Sequence, residues 1–233
     1  MNAWKNESEG MRMEIRTLLF DFDDTLGNRE VYAYKAYEEA VDFVKPGMDP
    51  MEKEAVLQTC MILDQQGDIN KNYVSSALRE RFGIDLDVMG NPDFNQWWET
   101  NLWKYTELFP DAMEVLNELR KRGYRLGVVT NGTSYSQHQK LAKAGLDTFF
   151  DAVVVSGDLK VKKPNPEIFR YAAEKIGSAP QDCAFIGDLF ARDIIGAYRA
   201  GMKPIWIWPH GQRMMTAECT RIQTLKDLLD LFR

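Results

Sequence analysis

Apolar positions along the chain follow two kinds of pattern. Five short continuous runs, at 17–20, 126–129, 152–155, 184–186 and 205–208, predict strands buried on both faces, as in a parallel sheet. Helical periods lie between the later runs. Pro110 opens one in which Val115, Leu116 and Leu119 share a face, and Gly123 stops it. Pro166 opens a second, with Ile168, Phe169, Ala172, Ala173 and Ile176 inward and Gly177 as the stop. Ile194 and Ala197 mark a third, from Asp193 to Gly201. Strands alternating with helices predict an α/β fold built on an open, doubly wound parallel sheet.

The stretch 28–105 breaks this alternation and reads as helices only. Tyr34, Tyr37, Val41 and Val44 share one face; Asp49-Pro50-Met51-Glu52 has the form of a capped helix start. Tyr73, Val74, Ala77, Leu78 and Phe82 mark a further helix closed by Gly83. Between Phe94 and Tyr105, the spacing of Phe94, Trp97, Trp98, Leu102 and Tyr105 predicts an inward face rather than a binding platform. The expected organisation is a catalytic core of 14–27 and 106–233, with an all-helical lid inserted at 28–105.

Composition narrows the class. Hydrophobic residues at 45% and charged residues at 27% of 233 are ordinary for a globular protein with a sizeable core. A net charge of -6 supplies no electrostatic footprint for nucleic acid or an anionic membrane, so an anionic ligand must be drawn in by local features. Cys60, Cys183 and Cys219 are odd in number and widely spaced, which predicts free thiols and a reducing, cytoplasmic setting. The first residues carry acids and no apolar core of a signal peptide, and no run reaches membrane-spanning length. No feature of the sequence sets an oligomeric state.

Candidate chemistry gathers where the strands end. The first runs into Asp21-Phe22-Asp23-Asp24-Thr25-Leu26, and ligands of open α/β sheets bind at the carboxyl ends of strands. Three acids in four residues repel one another unless a cation neutralises them, although a solvated acidic turn or a calcium loop has the same composition. The second strand leads into Thr130-Asn131-Gly132 before a helix near Ser134, either a phosphate cradle or a plain helix cap. Lys163, in a charged loop after the third strand, is placed to offset phosphoryl charge. Gly187-Asp188 ends the fourth strand, with Asp193 five residues on. Each has a bland reading of its own, but an acidic pair, a hydroxyl, a lysine and another acid after successive strands all fall on one edge. His138 reads as an exposed helix residue and His210 as a loop residue.

This ordered set resembles the haloacid-dehalogenase superfamily over 17–208. Asp21-Phe22-Asp23-Asp24-Thr25-Leu26 is similar to its first motif, Thr130 to the second, Lys163 to the third, and Gly187-Asp188 through Asp193 to the fourth. The helical insert resembles the C1-type cap of that family. Leu189 and Arg192 depart from the small hydroxyl residue and the Asn frequent there. The resemblance implies an Asp21 nucleophile, Asp23 as acid and base, and Thr130, Asn131 and Lys163 on the phosphoryl oxygens. It implies Mg²⁺ held by Asp21, Asp188 and the backbone carbonyl of Asp23, with Asp193 orienting Lys163 or a nearby water. The expected function is Mg²⁺-dependent hydrolysis of a small organic phosphomonoester through an aspartyl phosphate. A phosphomutase, a haloacid dehalogenase and a non-catalytic binding protein on the same scaffold are the alternatives. The presence of Asp23 argues against the dehalogenase, and the presence of both acids against the binding protein. Arg29, at the start of the insert, is a candidate grip on a second substrate group.

Overall fold

A computed structural model describes residues 14–207 and 216–233, so Trp208 and His210 lie outside the described residues. The strands are β1 (Thr17–Phe20), β2 (Arg125–Thr130), β3 (Ala152–Val155), β4 (Cys183–Gly187), β5 (Lys203–Ile207) and β6 (Thr220–Ile222). They form one sheet in the order β3-β2-β1-β4-β5-β6, every pairing parallel. The helices are α1 (Arg29–Val44), α2 (Pro50–Asp64), α3 (Lys71–Phe82), α4 (Phe94–Asn101), α5 (Ala112–Lys121), α6 (Ser134–Lys143), α7 (Ser156–Leu159), α8 (Pro166–Lys175), α9 (Ile195–Ala200) and α10 (Asp227–Leu231).

Strand side chains alternate between two apolar layers, because successive residues of a strand point to opposite faces. Leu18, Phe20, Leu126, Val128, Ala184, Ile186, Ile205 and Ile207 pack with Val115, Leu116 and Leu119 of α5 and Leu228 of α10. Leu19, Val129, Val154, Cys183 and Phe185 pack on the other face with Ile168, Phe169, Ala172 and Ala173 of α8 and with Ala197 of α9. Covering both faces is what makes the strand segments read as unbroken apolar runs.

Helices α1 to α4 bury a third apolar cluster of their own, with Tyr32, Tyr37, Val41, Leu57, Val74, Leu78, Phe94, Trp98 and Leu102 at its heart. The Tyr37 ring sits 4.4 Å from that of Trp98 and 6.1 Å from that of Phe94. The expected inward face of 94–105 is therefore filled by Phe94, Trp98 and Leu102, while Trp97 and Tyr105 pack at its edge. Asp49 caps α2 by accepting the amides of Met51 and Glu52, worth about 1 kcal/mol for such a cap.

Three expectations need correction, and one strand had no counterpart among them. The helix after Pro110 begins at Ala112, two residues late, because 110–111 form a turn first. Tyr73 is exposed, whereas Val74 and Leu78 of α3 are buried. Asp193 belongs to a π-helical turn, Phe190–Ile194, and α9 starts only afterwards. β6 was not anticipated, since three residues at a sheet edge are too few for a periodic signal.

Candidate active site

Parallel strands bring their carboxyl ends to one edge, and the strand order decides which ends are neighbours. Phe20 lies level with Ile186, and the Asp21 amide donates to the Ile186 carbonyl at 2.9 Å. Asp21 after β1 and Asp188 after β4 are thus adjacent at the point where the strand order reverses. The π-helical turn then folds Asp193 back beneath β4. A Cβ on Gly187 would fall 2.5 Å from the Asp193 Cβ, so this approach requires glycine. Oδ2 of Asp193 accepts the Leu189 amide at 2.9 Å, and Trp206 Nε1 holds the Asp188 carbonyl at 2.7 Å.

Lys163 reaches into this group from the loop after α7. Its Nζ lies 2.7 Å from Oδ1 of Asp21 and 2.7 Å from Oδ1 of Asp193. Asn131 pins the lysine backbone from β2: its Oδ1 accepts the Lys163 amide at 2.9 Å, and its Nδ2 donates to the Lys163 carbonyl at 3.1 Å. The Asn131 side chain is therefore committed to placing Lys163. Thr130 Oγ1 is buried in the cavity wall and has no hydrogen-bond partner among the described residues.

Neither carboxylate oxygen of Asp188 has a partner among the described residues, although the residue is buried. Oxygens of Asp21, Asp188 and Asp193 all lie within 4.8 Å of one another. Burial, then Asp193 and Asp21, drives the Asp188 carboxyl well above the usual range. Burial likewise pushes Asp21 up to about 7, against the pull of Lys163. Lys163 is held more firmly protonated than an ordinary lysine, because Asp193 and Asp21 outweigh its burial. An oxygen-only donor set with an unpartnered buried carboxylate fits a hard divalent cation. Asp21 and Asp188 are its natural ligands, since both oxygens of Asp193 are already engaged by Lys163 and Leu189.

The model of the haloacid dehalogenase-like hydrolase family matches residues 18–207, which takes in every residue of this constellation. The chain belongs to that family. Among the relatives of this haloacid dehalogenase-like hydrolase is a glyceraldehyde 3-phosphate phosphatase of Methanopyrus kandleri. The two are 33% identical over 196 residues, covering 83% of this chain and 84% of the relative. An N-acylneuraminate-9-phosphatase of Mus musculus is 30% identical over 237 residues, covering 93% and 92%. Among solved structures, the HAD-hydrolase YfnB of Bacillus subtilis, bound to magnesium, superposes with a TM-score of 0.78 at 26% identity, covering 94% of this chain and 99% of that one.

In this hydrolase Asp23 stands apart from the other carboxylates. It lines the same cavity but is not in the Asp21, Asp188 and Asp193 group. Lys140 Nζ donates to its two oxygens at 2.8 and 2.9 Å, Gln137 Nε2 donates at 2.9 Å, and the Tyr32 hydroxyl bonds Oδ1. Burial pushes the Asp23 carboxyl up, but Lys140 and Arg29 outweigh it and leave it below the usual value. Lys140 and Gln137 were not among the expected site residues. A signal was present: α6 has little apolar content, and Ser136, Gln137 and Lys140 share its buried face with Leu141.

The cavity is about 350 Å³ and is walled by both layers of the molecule, with Asp21, Thr130 and Lys163 below and Gln66, Asn70, Asn95 and Trp98 above. Arg29 lines it, but its guanidinium is paired with Asp64, a buried carboxylate that also holds Lys71, the Tyr37 hydroxyl and the Gly67 amide. Arg192, one of the two departures, spans the cavity to pair with Asp68. His138 is half-exposed on α6 and meets Asp158 at 3.0 Å.

Proposed function

We propose that the chain is a magnesium-dependent phosphatase that hydrolyses a small organic phosphomonoester through a phosphorylated Asp21. That it is a phosphoric monoester hydrolase agrees with its phosphatase relatives. The observation that carries the mechanism is the convergence of Asp21, Lys163 and the unpartnered Asp188 beneath one small cavity. In the proposed first step an Asp21 oxygen attacks phosphorus, and the bond from phosphorus to the ester oxygen breaks. Asp23 acts first as acid and then as base. Lys140 favours its carboxylate, so the protonated minority gives the proton to the departing oxygen, and the carboxylate then takes one from the water that attacks the aspartyl phosphate. The second step breaks the bond between phosphorus and Asp21, freeing inorganic phosphate and restoring the carboxylate. Lys163 neutralises charge on the phosphoryl oxygens, with Asn131 fixing its backbone, and Thr130 offers its unpaired hydroxyl. Asp193 orients Lys163. Asp21 and Asp188, with the Asp23 carbonyl expected as a further ligand, would hold a divalent cation, whose positive charge would screen Asp21 from a dianionic substrate.

We take 14–27 and 106–233 as the catalytic core and 28–105 as its cap. A cavity of about 350 Å³ beneath a cap suits a small metabolite and excludes a folded macromolecule. No helix among the described residues is long and apolar enough to cross a membrane, and the cysteines are free thiols, which accords with a cytoplasmic setting. Asp21→Asn tests the reading. Turnover of 4-nitrophenyl phosphate should fall by about three orders of magnitude or more, with no drop in melting temperature. Wild-type activity should vanish with a chelator and return with Mg²⁺. Near-native turnover by the variant, or full activity in excess chelator, would sink the covalent, metal-assisted mechanism.

A further inference from the structure

We infer that Lys140 is the positioning residue for Asp23, fixing its carboxylate on the leaving-group side of the cavity; this rests on the acid role proposed for Asp23 above. Three observations carry it. Lys140 is buried, and its ammonium spans both Asp23 oxygens at 2.8 and 2.9 Å, a contact made by residues 117 apart in sequence. Gln137, one helical turn earlier on the same face of α6, adds a bond of 2.9 Å to Oδ2, and Tyr32 closes the other side at Oδ1. The backbone after β2 is shaped to allow this. A Cβ on Gly132 would lie 2.7 Å from Cγ and Nε2 of Gln137, so only glycine lets that amide bond both Asp23 and the Asn131 carbonyl, the latter at 2.6 Å.

The arrangement answers a problem the site sets for itself. Asp23 stands two residues from the nucleophile and lines the same cavity as Asp21 and Asp188, where a cation would be held. A free Asp23 side chain would be drawn to that cation, away from the leaving oxygen. The Lys140 clamp, with Gln137 and Tyr32, fixes the carboxylate on the α6 side instead. A displacement of about 1 Å in a catalytic group costs on the order of a hundredfold in rate. Lys140 has no need to touch the substrate to matter.

Leaving-group dependence tests this. The kcat/KM values would be measured with Mg²⁺ for 4-nitrophenyl, phenyl and ethyl phosphate, since kcat/KM reports the step in which the ester oxygen departs. Lys140→Met should depress ethyl phosphate relative to 4-nitrophenyl phosphate by about tenfold or more, the pattern expected of Asp23→Asn. The double variant should be no steeper than Asp23→Asn, and Lys140→Arg should recover most of the wild-type slope. If Lys140→Met does not fold, Gln137→Leu reads the same contact and should steepen the slope less. Equal losses on all three esters, or an additive double variant, would assign Lys140 to phosphoryl binding or folding and overturn the inference. An Asp23→Asn enzyme with the wild-type slope would overturn the acid role itself and, with it, the role given to Lys140. A steep Asp23→Asn beside a Lys140→Met of wild-type slope would remove Lys140 alone.

Discussion

Replacing Lys163 by Met keeps most of the side-chain volume and removes one buried charge. In the structure that charge sits 2.7 Å from carboxylate oxygens of both Asp21 and Asp193, with the lysine side chain only 1% exposed. At an effective dielectric of about 20, each contact is worth roughly 6 kcal/mol of gross attraction. Desolvation of the lysine offsets several kcal/mol of this, and breaking a buried pair from one side typically costs about 3–5 kcal/mol net. For a chain of this size that is a melting-temperature loss of roughly 6–20 °C. The sign of its pH dependence is fixed. Without Lys163 the folded-state pKa of Asp21 rises further above its unfolded value, so the variant gains stability relative to the parent as this group takes up a proton. The deficit should therefore be largest near about pH 8, shrink toward about pH 5, and be partly relieved by Mg²⁺. Scanning calorimetry of both proteins at the two pH values, with chelator and with Mg²⁺, measures all three. A deficit under about 1 kcal/mol at the higher pH, or one equal at both, would refute the view that Lys163 neutralises this carboxylate cluster.

Other expectations follow from the same charges. Burial raises the folded-state pKa of Asp21 to about 7 and that of Asp188 well above the usual range, so their contribution to metal-free stability is present on the acid side and is lost as pH rises through about 7. Metal-free protein should melt lower at about pH 8 than at about pH 6, with the Mg²⁺-induced gain growing with pH; a gain independent of pH would contradict this. Asp64→Asn should cost about 3–5 kcal/mol and raise KM for a metabolite substrate, because Arg29 and Lys71 would be left buried without their carboxylate and the Gly67 turn would lose its anchor. Burial opposes the charge on Asp64, but Arg29 and Lys71 prevail and hold its carboxyl well below the usual range. The stability it lends is therefore lost as pH falls, and an acid-melting profile unchanged by the substitution would disprove it.

The sequence determined five of the six described strands, the order of the motifs and the chemical character of the site. Runs such as 126–129 and 184–186 carry their own signal, because a strand covered on both faces is apolar at every position. Asp21, Thr130, Lys163 and Asp188 were legible for a related reason: each follows a strand or its loop, and parallel strands place all such ends on one edge. Local signals also placed the Asp49 cap and the Pro166 start of α8. What they could not convey was which side chains meet across long stretches of chain. Lys140 and Gln137 carried no more than the low apolar content of α6 as a signal, and only docking α6 over Asp23 brings them to it, a contact spanning 117 and 114 residues. Arg29 reads as a free cation at the mouth of the insert, but 35 residues later the chain supplies Asp64 to neutralise it. Asn131 reads as a phosphate ligand, and only the fold shows both ends of its amide spent on the Lys163 backbone. Backbone periodicity is encoded in neighbours a few positions apart, whereas ion pairs and hydrogen bonds depend on distances of about 3 Å that only tertiary packing sets.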